Sequence, residues 1–313
     1  MTATMKSIRI HAFGGPDVLK QDEVPVPQPA NGEVLVRVCA ASVNPIDFKI
    51  REGGKADPAL LPIAMGRDIS GIVEDWGLGV EGLRKGDTIF AMLGRDRGGY
   101  ADYAVVKAGE WAPKPAEPDH VHAAAVPLAA ITAWQGLFDH GRLTRGQRVL
   151  IHGGAGGVGH FAIQLAKAKG AWVATTASKA DLEFVRGLGA DQAIDYKAQR
   201  FEDEVSDIDV VYDLIGGETQ DRSFAVLKTG GALISTLTQP DKNRARAKDL
   251  RVAHYMAEPD AAQLAQIARL IDDGKVRPVV DTVFRLADAA KAQETLEKEH
   301  VRGKIVLEVD PAG

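Results

Sequence analysis

Apolar positions recur along this chain with two different periods. From residue 1 to about 121 the apolar runs are short and rich in β-branched residues, as at 7–11, 34–38, 72–73 and 88–91, and they are cut by Gly14-Gly15-Pro16 and by Pro25, Pro27 and Pro29. Such runs between turn residues predict short strands. From about 122 to 273 the character changes. Alanine-rich stretches of helical spacing alternate with apolar runs at 148–152, 172–176, 209–215 and 232–237, and strand and helix in alternation predict a parallel sheet. The helix expected at 260–273 carries Leu264, Ile267, Ala268 and Ile271 on one face and stops before Gly274. Strand character then returns at 276–283 and 304–309. The expected organisation is therefore a strand-rich unit made of residues 1–121 and 274–313 around an α/β unit of residues 122–273. The basic stretch Lys242 to Arg251 is expected to be a solvated loop, and the acidic run Glu202 to Asp209 to be helix surface and loop.

Composition narrows the picture modestly. With 313 residues and 45% hydrophobic content the chain can bury two cores. A formal net charge of −5 gives no reason to expect nucleic acid or an anionic membrane as partner. The single cysteine, Cys39, excludes an intrachain disulfide and any multi-cysteine zinc site, and it suits a reducing compartment. No apolar run reaches the ~18–20 residues of a membrane span, and the opening residues lack a leader pattern. A cytoplasmic protein is the expectation.

The chemistry centres on one loop. The run at 149–151 leads into His152-Gly153-Gly154-Ala155-Gly156-Gly157-Val158-Gly159, which holds G-x-G-x-x-G at 154, 156 and 159. After a strand and before a helix, these glycines permit a tight turn, close approach of backbone to a pyrophosphate, and close packing of helix on strand. The helix that follows has Val158, Phe161, Ala162, Leu165 and Ala166 on its inner face. The pattern predicts a dinucleotide site.

Which dinucleotide depends on the end of the next strand. NAD enzymes tend to place Asp or Glu there for the ribose hydroxyls, whereas this chain has Thr175-Thr176-Ala177-Ser178-Lys179. Small hydroxyls and a lysine can bind a 2′-phosphate that a carboxylate would repel, so NADPH is favoured over NADH. Tyr196, at the end of the following short strand, could pack near the same phosphate or be structural.

Taken together the segments resemble a known family. They are Phe13-Gly14-Gly15-Pro16, Ala41 to Asp47, Gly66-Arg67-Asp68-Ile69-Ser70-Gly71, Ala125-Val126-Pro127-Leu128 with Thr132-Ala133-Trp134, Gly153 to Gly159, Val211 to Gly217, Gly230-Gly231, and Arg302 to Leu307. In this order they resemble the zinc-independent medium-chain dehydrogenase/reductase superfamily, in its quinone oxidoreductase and alkenal or enone reductase branch. The resemblance covers essentially the whole chain. It implies a GroES-like catalytic domain from both chain ends, an inserted Rossmann domain, and a homodimer formed through Rossmann edge strands. Where zinc-dependent relatives carry ligands, this chain has Asn44-Pro45 and Arg67-Asp68, which implies zinc-free chemistry.

The resemblance also assigns roles. It puts Asn44, Ile46 and Lys49 beside the nicotinamide and its ribose, with Asn44 and Lys49 as the catalytic candidates. Lys49 would hold the ribose or carboxamide or polarise a substrate carbonyl, although relatives often have tyrosine there. Cofactor contacts are expected from Gly154, Ala155, Gly156, Gly157, Val158, Thr176, Ser178, Lys179, Tyr196 and Thr132. Ile215, Gly216, Leu237 and Lys304 are expected around its nicotinamide half. Tyr100 is expected to pack or to face substrate. The implied reaction is hydride delivery to a quinone or to the C=C bond of an α,β-unsaturated carbonyl. An enoyl-thioester reductase and a non-catalytic NADPH-binding protein stay open as alternatives.

Overall fold

The computed structural model describes residues 3–54 and 56–309. Its strands, in chain order, are β1 (Thr4–Ile10), β2 (Leu19–Pro25), β3 (Glu33–Val43), β4 (Ile63–Ala64), β5 (Asp68–Trp76), β6 (Thr88–Met92), β7 (Tyr103–Lys107), β8 (Trp111–Pro113), β9 (Arg148–His152), β10 (Trp172–Ala177), β11 (Gln192–Asp195), β12 (Ile208–Asp213), β13 (Leu227–Ser235), β14 (Arg251–His254), β15 (Val280–Arg285) and β16 (Lys304–Glu308). Packing divides the chain into two units, one from the described residues of Met1–Ala129, Glu258–Asp272 and Pro278–Gly313, the other from Ala130–Ala257 and Asp273–Arg277.

In the first unit β1 pairs antiparallel with β2 and β4, and a larger sheet runs β15-β16-β3-β5-β6-β8 with β7 added beside β3. The long β3 is the hinge of this topology. Its first half pairs with β7, and its second half pairs with the late strand β16, setting Ile305 opposite Val43. Both ends of the chain thereby share one core, in which Ile10, Val36, Ile69, Val73, Ile305 and Leu307 are buried.

The second unit is a parallel sheet in the order β11-β10-β9-β12-β13-β14, the doubly wound arrangement in which strand order reverses between the first and fourth strands of the unit. The central strands β9 and β12 are buried along nearly their whole length, as strands in the middle of a parallel sheet covered on both faces are. Ligands of such sheets bind at the carboxyl ends of the strands near the reversal, here after His152 and Asp213.

Three expectations are corrected. The unit boundary falls at Ala129/Ala130 rather than near 121, and the helix Ala261–Asp272 belongs to the strand-rich unit, because its apolar face packs on β8. The basic stretch is not a loop: Asp241 caps a helix, Lys242–Ala247, by accepting from the amides of Asn243 and Arg244, and Arg251 opens β14. Asp209 is not surface. It is buried and accepts from the side chain of Gln147 and the amide of Arg148. Among the described residues no helix is long and apolar enough to cross a membrane.

Candidate active site

After β9 the backbone turns at Gly153, whose φ is +76°, a region that suits glycine. A Cβ on Gly154 would stand 2.1 Å from Thr175 Oγ1, and one on Gly159 would stand 2.1 Å from the Gly153 carbonyl oxygen. Those two glycines are required by strand and helix packing. Gly156 differs: a Cβ there would meet only the Gly153 carbonyl oxygen, at 3.5 Å, an ordinary contact. Packing within the fold does not require its bareness, which leaves the backbone open in the way that approach to a pyrophosphate needs. Ala155 is buried, while Gly156, Gly157 and Val158 keep partial exposure ahead of the ten-residue helix Gly159–Ala168. The loop fits a dinucleotide phosphate held by helix N-terminal amides.

Along the same sheet edge, Ser178 and Lys179 follow β10 and Tyr196 follows β11. Lys179 and Tyr196 are exposed, the tyrosine by 57%. Ser178 is half-buried and donates its hydroxyl to Asp181 at 2.5 Å. That carboxylate is 0% exposed. The first acid after β10 is thus turned into the protein and unavailable to ribose hydroxyls. Thr176 anchors the turn from inside the sheet. It is buried, and its hydroxyl oxygen lies 3.1 Å from His152 Nδ1 and accepts the Gly153 amide at 3.3 Å.

Beyond β12 and β13 the structure brings Ile215, Gly216 and Leu237 together at the carboxyl edge. A Cβ on Gly153 would lie 3.0 Å from Ile215 Cδ1, and one on Gly216 would lie 3.2 Å from Leu237 Cδ1. Ile215 is 54% and Leu237 38% exposed, an apolar surface beside the glycine loop of the kind a cofactor ring covers. Buried Asp213 shapes it by accepting the amides of Ile215 and Gly216, at 3.0 and 2.8 Å, while its other oxygen takes Gln220 and Ser235. Thr132 is buried in the second unit just before the π-helical turn Gln135–His140. Its carbonyl accepts from Tyr255 at 2.5 Å and from Tyr212 at 3.0 Å, with the two tyrosine hydroxyls 2.6 Å apart.

In the strand-rich unit the helix Pro45–Arg51 begins at Asn44, whose amide donates to Asp47. Asn44 is 1% exposed. Its side-chain amide nitrogen donates to Asp68 at 2.8 Å, and its carbonyl oxygen accepts from the Lys304 ammonium. Lys304 is itself 3% exposed and also donates to the Val43 carbonyl at 2.9 Å. The polar ends of both side chains are spent inside the fold, where they hold the turn at Asn44. Ile46 and Lys49, on the following turn, are half-exposed, and the Lys49 ammonium has no hydrogen-bond or ion-pair partner among the described residues.

Around Asn44 lies a cluster whose extent the sequence did not reveal. Asp68 accepts from Ser42, Asn44 and the Leu128 amide; Asp47 accepts from Asn44 and from Tyr100, leaving its Oδ1 without a partner. Burial pushes the Asp47 carboxyl up to about 6, against the pull of its hydrogen bonds. Burial likewise raises Asp68 and lowers Lys304, with the Lys304–Asp68 attraction opposing both shifts. Tyr100 packs rather than facing substrate, being 0% exposed with its hydroxyl on Asp47. The departure from the zinc pattern at Arg67-Asp68 was the signal that could have located this cluster. Arg67 is buried, with its guanidinium on the Leu93 carbonyl at 2.7 Å. Among the described residues no three His, Cys, Asp or Glu side chains are grouped to hold a metal ion.

A doubly wound domain with an open glycine loop, joined to a strand-rich domain built from both chain ends, defines an oxidoreductase of the medium-chain type. Comparison with known proteins agrees. Two family models match, one described as an alcohol dehydrogenase GroES-like domain over residues 30–116 and one as a zinc-binding dehydrogenase over residues 188–307. The NADPH-dependent alkenal/one oxidoreductase of Arabidopsis thaliana is 37% identical over 319 residues, covering 97% of this chain and 79% of its own length. The quinone oxidoreductase of Rattus norvegicus is 32% identical over 321 residues and covers 97% of each chain. The structure of the quinone oxidoreductase from Coxiella burnetii superposes with a TM-score of 0.90 at 36% identity, covering 98% of this chain and 100% of that one. This chain belongs to the medium-chain dehydrogenase/reductase superfamily, in its quinone and alkenal/one oxidoreductase branch, with a GroES-like and a Rossmann domain.

Proposed function

We propose that the protein is an NADPH-dependent reductase of quinones or of the C=C bond of α,β-unsaturated carbonyls. The observation that carries the cofactor choice is the edge formed by Ser178, Lys179 and Tyr196. It offers an exposed ammonium and a phenol, while the neighbouring acid Asp181 is buried under Ser178. NAD sites tend to present a free carboxylate at this place for the ribose diol. Gly156, Gly157 and Val158 receive the pyrophosphate, and Ile215, Gly216 and Leu237 form the apolar wall for the ring.

Bound nicotinamide supplies hydride to an electron-poor carbon. The protein's part is to orient the reactants and to stabilise charge on the carbonyl oxygen as it develops. Lys49, half-exposed and with no partner for its ammonium among the described residues, is the donor proposed for that oxygen or for the nicotinamide ribose. The buried Asn44–Asp68–Lys304 cluster fixes the start of the Lys49 helix. Solvent supplies the final proton. The reading extends to a cytoplasmic homodimer formed along the edge of the parallel sheet at β14.

The names of the relatives support this reading, and a direct assay tests it. NADPH and NADH oxidation is followed with the purified protein and, separately, a small quinone, a 2-alkenal and a saturated aldehyde. Turnover of the quinone or alkenal with NADPH is expected. Binding of NADPH without turnover of either would move the assignment to enoyl-thioester reduction or to a non-catalytic binding protein.

A further inference from the structure

One buried, titratable side chain next to the glycine loop has no part in the chemistry above. His152, the last residue of β9, is 0% exposed. Its Nε2 lies 2.9 Å from Ser223 Oγ and its Nδ1 lies 3.1 Å from Thr176 Oγ1, while its ring packs edge-on against Phe201. The direction of these bonds is decided by the groups at either end. Ser223 donates its hydroxyl to the Thr219 carbonyl at 2.6 Å, so it can only accept from His152, and the imidazole must carry its proton on Nε2. Nδ1 is then an acceptor, and Thr176 donates to it. Thr176 Oγ1 in turn accepts the Gly153 amide, and the Thr176 carbonyl accepts the Gly154 amide at 3.1 Å.

A single hydrogen-bond chain therefore runs from Gly153 through Thr176, His152 and Ser223 to Thr219. It ties the first two amides of the glycine loop to the helix Gly217–Ser223, whose entry turn carries Ile215 and Gly216. We propose that His152 is a positioning residue for the dinucleotide site: as the neutral Nε2–H tautomer it sets the Thr176 hydroxyl, and through it the turn at Gly153 that opens the pyrophosphate loop. Charged neighbours act on the ring in opposite directions, Asp213 favouring its protonation and Arg222 opposing it, and burial outweighs both, pushing its pKa down to about 4. The neutral form the chain requires is thus the form present at physiological pH. This inference rests on the reading of the loop as the NADPH site.

The test measures the NADPH dissociation constant by fluorescence titration, together with kcat and the KM for each substrate. The proteins are wild type, Thr176→Val, Thr176→Ser, His152→Phe and Thr176→Val/His152→Phe. Valine keeps the shape of threonine without its hydroxyl, and phenylalanine keeps the ring packing on Phe201 without either nitrogen. Losing one buried hydrogen bond of ~1–1.5 kcal/mol weakens binding about 10-fold. We expect a loss of about that size in Thr176→Val and in His152→Phe, affinity within about 2-fold of wild type in Thr176→Ser, and a double variant no weaker than the worse single one, since one chain is broken in each case. The KM for the unsaturated substrate is expected to stay unchanged. Singles that bind NADPH as wild type does, or losses that simply add in the double variant, overturn the proposal. Should His152→Phe fail to fold, the Thr176→Val and Thr176→Ser pair decides the matter by the same criterion. A wild-type protein that binds no NADPH would instead remove the reading of the loop itself.

Discussion

Replacing Lys304 with methionine tests the buried cluster of the strand-rich domain. The perturbation removes one ammonium and little volume. In the native chain that ammonium donates to the Val43 carbonyl and to Asn44 and attracts two carboxylates, Asp47 and Asp68, that are each 0% exposed. Deleting one member of a buried charge cluster costs ~3–5 kcal/mol, because the remaining charge stays out of water without its partner. At ~2–4 °C per kcal/mol for domains of this size, the lower figure lowers Tm by ~6–12 °C. The pH dependence has a definite sign. Lys304 lowers the pKa of both carboxyls, so without it their folded values rise further above 3.8, and the folded state holds protons that the unfolded state releases. Such a group stabilises fully below its unfolded pKa and loses that contribution as pH rises through the folded value. The deficit of Lys304→Met relative to wild type is thus small near pH 5 and largest near pH 8. Reversible urea unfolding followed by tryptophan fluorescence, with Trp76 and Trp111 in this domain, measures it at both pH values. The second change Asp68→Asn should restore part of the loss. A deficit under ~1 kcal/mol at pH 8, or one that is equal at pH 5 and pH 8, would refute the reasoning.

Three further outcomes are expected. Lys179→Glu should weaken NADPH at least ~10-fold more than NADH, since it sets a carboxylate against the 2′-phosphate; equal losses for both cofactors in titration would count against a phosphate role. Gly159→Ala puts a methyl 2.1 Å from the Gly153 carbonyl, and should abolish dinucleotide binding while circular dichroism still reports a folded chain. His152 falls from 6.5 to about 4 on folding, so the stability it contributes is present above pH 6.5 and is lost as pH drops towards 4, by at most ~3 kcal/mol. Asp47 shifts in the opposite direction over a similar range, so the comparison that isolates His152 is wild type against His152→Phe, which should show the shallower acid limb in unfolding titrations.

The dinucleotide loop and the alternating sheet were legible in the sequence because their information is local. A strand, three spaced glycines and a helix lie within 21 consecutive residues, 148–168, and β9 occupies the expected residues 148–152. The glycines at 154 and 159 are dictated by atoms of neighbouring turns, so spacing alone reports them. The composition of 202–209 and 242–251 misled for the reverse reason. Asp241 reads as a stray acid beside a basic run until it is seen capping the helix, and Asp209 reads as surface until Gln147 and Arg148 are brought to it at the start of β9.

What only the tertiary structure decided is which polar side chains are free to meet a ligand. By sequence Asn44, Thr176, Lys179 and Lys304 stood alike as candidates. Folding buries the first, second and fourth and leaves Lys179 exposed. Asn44 and Lys304 are 260 residues apart and meet only because β16 returns to the edge of β3. A buried polar group must find a partner wherever the fold brings one, and periodicity along the chain carries no record of that meeting. The sequence by itself determined the dinucleotide fold, the family and the glycine loop; long-range strand pairing determined which of these side chains are held inside the structure and which face outward.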